Sequence, residues 1–115
     1  MRFVIFFDSR SQYSWHLKAA NGYIIANGES YTAKQNAVHC INLVKGTTSA
    51  SQYTVYQDTA GQWRWKLVAT NGEIIAKSSE GYWNKADAEN GVRLAVSTDA
   101  NTPVEDLTLA KAAGY

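Results

Sequence analysis

Apolar and polar residues alternate over Tyr13, Trp15, Leu17 and Ala19, with Ser14, His16 and Lys18 between them. The alternation returns over Trp63, Trp65, Leu67 and Ala69, now interleaved with Arg64, Lys66 and Val68. A period of two with one apolar face predicts strands of an antiparallel sheet that is covered on one side and wet on the other. Each alternating run is preceded by a shorter apolar one, Phe3 to Phe7 and Tyr53 to Tyr56, which reads as a first strand. Ser9-Arg-Ser11 and Thr59-Ala-Gly61 read as the turns between them. Each alternating run is followed by Asn-Gly, at Asn21-Gly22 and Asn71-Gly72, which predicts a tight hairpin with a type I′ turn. The third strands are then Ile24 to Ala26 and Ile74 to Ala76.

Past those strands the period lengthens to 3.6. Ala37, Ile41 and Val44 lie at i, i+4 and i+7, as do Ala88, Val92 and Ala95, so each set predicts a helix with one buried stripe. Thr32-Ala-Lys-Gln35 reads as a capping box and Gly46 as the stop of the first helix. The second helix is expected to start at Asn84 and to fray near Ser97-Thr98. Pro103 to Leu107 predicts a short final strand, and Ala110 to Tyr115 a loose tail.

The two halves are copies. Trp15 to Ala26 returns as Trp65 to Ala76 at an offset of 65 − 15 = 50, which becomes 82 − 31 = 51 beyond the Ser-rich Lys77 to Gly81. A unit of about 50 residues is marginal alone and packs against its twin. The expected fold is α+β: two tandem β-β-β-α-β repeats in one domain (1–115), at about 2–50 and 51–108, with a tail at 109–115. One antiparallel sheet is shared about a pseudo-two-fold axis, with both helices on one face and the C-terminal strands open to exchange. Such a chain is expected to be a monomer with an internal pseudo-dimer.

The pattern Trp-x-Leu-x-Ala-x-Asn-Gly-x-Ile-Ile-Ala, followed by Tyr31 or Tyr82 and a short helix, resembles the YegP-like family of small bacterial and archaeal proteins built around a domain of unknown function. The resemblance covers about residues 3 to 108. It implies repeats of three strands, a helix and a strand in a single sheet with exchanged C-terminal strands, reached by homodimerisation where a member has one repeat. It implies no activity. The family's Glu-Asn-Gly-Ile run appears here as Glu89-Asn-Gly-Val92, but the first copy reads Val38-His-Cys-Ile41.

Charge narrows the function classes. Eleven basic and ten acidic side chains leave a net charge of +1, no strong field for nucleic acid or an anionic membrane. The single cysteine, Cys40, excludes an intrachain disulfide and fits a reducing compartment. The run from Phe3 to Phe7 is too short for a signal h-region, and no apolar stretch suffices for a membrane span, so a cytoplasmic protein is expected. No phosphate loop or dinucleotide fingerprint is present, and no cofactor is expected.

Candidate chemistry is sparse. His39 and Cys40 are adjacent on a predicted helix, where neighbours at i and i+1 diverge, and no second Cys or metal-ligand spacing accompanies them. Asp8 and Asp58 recur beside predicted turns, where Asp bonds local backbone. No catalytic or metal site is expected. The candidate binding residues are His16, Lys18, Arg64 and Lys66 on the open sheet face, with Phe6 and Tyr56 nearby, and the non-repeated Trp83. Trp83 reads first as a contact closing the inserted loop and second as a partner anchor. These residues point to a non-enzymatic protein-interaction or structural module. The alternative is nucleic-acid or small-ligand binding through the open face, where bases would stack on aromatics beside cations.

Overall fold

In the computed structural model, which describes residues 1–109, the alternating runs are strands. The first repeat supplies β1 (Arg2–Phe7), β2 (Tyr13–Lys18) and β3 (Ile24–Asn27). The second supplies β4 (Thr54–Gln57), β5 (Trp63–Val68) and β6 (Ile74–Ser78). Helices α1 (Lys34–Lys45) and α2 (Lys85–Val96) follow the third strands, and β7 (Val104–Asp106) comes last. All seven strands form one sheet in the order β4-β5-β6-β3-β2-β1-β7. The two trios meet where β3 pairs with β6 through Ala26↔Ser78 and Asn27↔Lys77. Asn27 and Lys77 are the same repeat position (77 − 27 = 50), so the pseudo-two-fold axis passes between them.

Both helices lie on one face over a single core. Ala37, Ile41 and Val44 of α1 and Ala88, Val92 and Ala95 of α2 join the inward residues of both trios, among them Trp15, Leu17, Trp65 and Leu67. The two tryptophans are fully buried. Trp15 meets Phe3 edge-on at 5.7 Å between ring centroids, and Trp65 meets Tyr53 at 5.5 Å, each pair contributing about 1 kcal/mol beyond its buried area. A register shift opposite Leu17/Lys18 adds one residue to β3, and the same shift recurs opposite Leu67/Val68 in β6. This bulge buries the consecutive residues Ile25 and Ala26, which strict alternation would place on opposite faces.

Four expectations need correction. The Asn-Gly turns are not type I′, because only Gly22 and Gly72 have positive φ (86° and 89°). The Gly22 N–H donates to Ala19 O and the Ala19 N–H to Tyr23 O, a three-residue loop with one left-handed position. Asn21 instead accepts the Tyr23 N–H on its side chain. Second, the capping box at Thr32 does not form. Tyr31 and Tyr13 exchange backbone hydrogen bonds, the chain bends at Thr32-Ala33, and α1 begins at Lys34 with the extended Ala33 as N-cap. A capping box does form at Ser49 to Gln52, around the short 3₁₀ turn Ala50–Gln52 that precedes β4. Third, the sheet is not wholly antiparallel, since β7 runs parallel to β1. Fourth, the repeats are unequal. Only the second has a fourth strand, and it crosses to the first repeat's edge, while the 3₁₀ turn stands where the first repeat's own would be. The expectation for 110–115 lies outside the described residues.

Candidate functional site

The sheet face turned away from the helices carries a cross-strand row in register: Thr54, Lys66, Lys77, Asn27, His16, Val4 and Glu105. Its cations are mostly engaged. Arg64 Nε donates to Asp58 Oδ2 at 2.8 Å, which holds the Asp58 carboxyl below the usual carboxylate range. Lys77 Nζ lies 3.0 Å from Glu29 Oε2. Lys66 sits over the Tyr56 ring at 5.1 Å, and the His16 ring lies tilted against Phe6 at 4.3 Å between centroids. Burial, then the nearby Lys18 charge, push the His16 pKa down, so the imidazole is neutral at pH 7. Of the four sequence-predicted residues on this face, Lys18 and Lys66 have no carboxylate partner among the described residues. They stand on β2 and β5, three strand spacings or roughly 14 Å apart.

Trp83 is 76% exposed, so it does not close the inserted loop. Asp8 and Asp58 act as local turn acceptors, Asp8 Oδ1 taking the Arg10 and Gln12 N–H groups and Asp58 Oδ1 those of Ala60 and Gln62. His39 and Cys40 line a hollow of about 190 Å³ with Tyr31 and Glu73, between α1 and the hairpin tip of the other repeat. Its pseudo-symmetric twin, about 210 Å³, is lined by Tyr23, Tyr82, Asp87, Asn90 and Gly91. Burial raises the pKa of Tyr31 and of Tyr82, so both phenols stay protonated. Among the described residues no three His, Cys, Asp or Glu side chains gather closely enough to hold a metal ion, and no helix is long and apolar enough to cross a membrane.

The clearest asymmetry is at the two ends of the sheet. At one end β7 seals β1: the Phe3 N–H donates to Pro103 O, the Leu107 N–H donates to Ile5 O, and Ile5 is 2% exposed. Lys34 at the start of α1 reaches Asp106 Oδ2 at 2.8 Å. Partial burial works against the Asp106 charge, but Lys34 and the Thr108 hydroxyl and amide outweigh it and lower the pKa. At the other end no described strand lies beside β4. Val55, the counterpart of Ile5, is only half-buried and borders a groove of about 370 Å³ with Ala50, Ser51, Glu89, Val92 and Arg93. Lys85, the counterpart of Lys34, lies 5.5 Å from the Trp63 ring and has no carboxylate partner among the described residues. Sequence reasoning passed over these groove residues. The available signal was the missing counterpart of Pro103 to Leu107 between Gly46 and Tyr53.

The domain of unknown function DUF1508 matches residues 8–53 and again residues 58–106. The chain belongs to the DUF1508 family. Its two matches coincide with the two structural repeats. UPF0339 protein NMB1088 of Neisseria meningitidis serogroup B is 53% identical over 51 residues, a stretch covering 91% of that protein and 44% of this chain. That relative is therefore about one repeat long. Among solved structures, the solution structure of yegP from E. coli, a protein of unknown function, superposes with a TM-score of 0.84 at 27% identity, over 92% of this chain and 91% of that one. UPF0339 protein SO3888 from Shewanella oneidensis gives 0.81 at 27% identity, over 92% and 90%. The YegP-like resemblance read from the repeated motif is thus confirmed, as is the α+β sheet shared by two repeats.

Proposed function

We propose that this protein is a non-enzymatic protein-interaction module that takes up an extended segment of a partner along β4. One observation carries this reading: the same edge position is sealed by β7 at one end of the sheet and left open at the other among the described residues. An unpaired edge presents a row of backbone donors and acceptors, and strand addition is a general mode of peptide recognition. Lys85 of α2 flanks that end, over the Trp63 ring of β5, the strand paired with β4. The open sheet face supports nucleic-acid binding poorly, because Asp58 and Glu29 neutralise Arg64 and Lys77 and the free lysines are far apart.

The test is recovery of partners from native lysate with nuclease present, comparing the wild-type protein with Val55→Pro. By equivalence with Ile5, the Val55 N–H points away from β5, so proline removes an edge donor and no ladder bond. A stoichiometric protein lost on Val55→Pro supports the reading. A partner retained equally by both, or one released by nuclease and by Lys18→Ala with Lys66→Ala, overturns it.

A further inference from the structure

We propose that the segment received by β4 is acidic and runs parallel to it, its carboxylate meeting Lys85 as Asp106 meets Lys34. This rests on the interaction-module reading and adds the chemistry and direction of the ligand. The molecule supplies its own template. β7 lies parallel to β1 with Asp106 opposite Ile5, and its carboxylate is shared between the Lys34 ammonium and the Thr108 hydroxyl and amide.

The pseudo-two-fold carries each receiving element to the other end of the sheet. Ile5 becomes Val55, Lys34 becomes Lys85 (85 − 34 = 51), and Tyr13, whose ring lies 5.9 Å from Lys34 Nζ, becomes Trp63. Among the described residues, what is missing is the strand and its carboxylate. Lys85 is held against an aromatic ring with its charge unmatched there, and Val55 stands half-open over the groove. Within the groove Arg93 and Glu89 carry opposite charges, which leaves the Lys85 ammonium over the Trp63 ring as the counterpart of the Lys34 cation.

The available edge is shorter than the template. The Tyr53 N–H already donates to Ala50 O in the 3₁₀ turn, so pairing starts at the level of Val55. The acidic residue opposite Val55 is therefore the central requirement, and an aliphatic residue at the Val104 position contributes less.

A synthetic peptide of residues 101–109 of this chain is the probe, titrated into isotope-labelled protein while backbone amide shifts are followed. The protein's own β7 occupies β1 intramolecularly, so the peptide is expected to perturb Val55, Gln57 and Lys85 and to leave Phe3 and Ile5 unmoved. Peptide Asp106→Asn should bind about fivefold more weakly, and protein Lys85→Glu should bind the original peptide about tenfold more weakly. Peptide Asp106→Lys should recover binding to Lys85→Glu. Absence of β4 shifts at millimolar peptide, or equal binding of the original and Asp106→Asn peptides, overturns the proposal. If a native partner still depends on Val55 while the peptide charge has no effect, strand docking survives and the acidic chemistry falls. If the native partner ignores Val55→Pro, the interaction reading itself falls.

Discussion

The two repeats bury the same tryptophan by opposite means. In the first, a Cβ at Gly28 on the strand side would sit 2.1 Å from Trp15 Nε1. In the second, Ser78 occupies that strand position, and the close neighbour is instead Gly91 of α2, whose Cβ would lie 2.6 Å from Trp65 Nε1. The first repeat carries Cys40 at the Gly91 position. Each indole therefore needs one neighbour without a side chain, supplied once by the strand and once by the helix. Neither indole N–H finds an acceptor among the described residues, so shape and not hydrogen bonding sets these positions. The divergence of Cys40 from the family's glycine is thus matched by a compensating glycine at position 28.

Exchanging the two solutions is expected to have the largest effects. Gly28→Ala should cost about 3 kcal/mol, because neither the fully buried indole nor the strand can yield. Gly91→Cys should cost about 2 kcal/mol, the clash being milder and partly offset by better helix propensity. If the two positions compensate, adding Ser78→Gly should restore part of that loss, although it also removes the hydrogen bond from the Trp65 backbone N–H to Ser78 Oγ. Denaturant unfolding of the single and double variants measures this coupling. Strict additivity would show that the glycines were placed independently.

A second contrast, between the sealed and open ends of the sheet, makes a smaller prediction. The Asp106 pKa is depressed in the folded protein, so its stabilisation is complete above its unfolded value, near about 4, and is lost as pH falls through the lower folded value. Wild-type protein should exceed Asp106→Asn by about 1 kcal/mol at pH 7 and lose that advantage progressively as the carboxylate is protonated in acid. Lys34→Ala should remove most of the difference. A Lys85→Ala change at the open end should leave the wild-type pH profile untouched. A pH-independent gap between wild type and Asp106→Asn would mean that Lys34 does not hold the strand.

What the sequence revealed follows from what periodicity encodes. The alternation through Trp15 and Trp65 and the stripes Ala37/Ile41/Val44 and Ala88/Val92/Ala95 record which side of an element is buried, so strands, helices and the shared core were legible. Periodicity does not record strand direction, and the parallel placement of β7 came only with the structure. It does not record competition for backbone groups either. The Tyr13–Tyr31 bridge overrode an acceptable capping box at Thr32. The candidate cations were legible as residue types on one face, but ion pairs such as Arg64 with Asp58 depend on distances across a turn. The open edge was invisible because it is a missing strand, apparent only when the repeats are superposed.

The smallest expected effect concerns the first hairpin of each repeat. Ser11 and Gly61 occupy the same left-handed turn position, with φ of 60° and 84°, and both donate their N–H to the preceding Asp carbonyl at 3.0 Å. A serine there carries a conformational cost of about 1 kcal/mol that glycine avoids, while glycine loosens the unfolded chain by about half as much. Ser11→Gly should therefore stabilise by about 0.5 kcal/mol, Gly61→Ser should destabilise by a similar amount, and the double exchange should be close to neutral. Urea midpoints at constant m-value are sensitive enough to read this. Loss of stability in Ser11→Gly would show that the hydroxyl at position 11 makes a contact worth more than the strain it tolerates, and that the two turns, alike in backbone, are held differently.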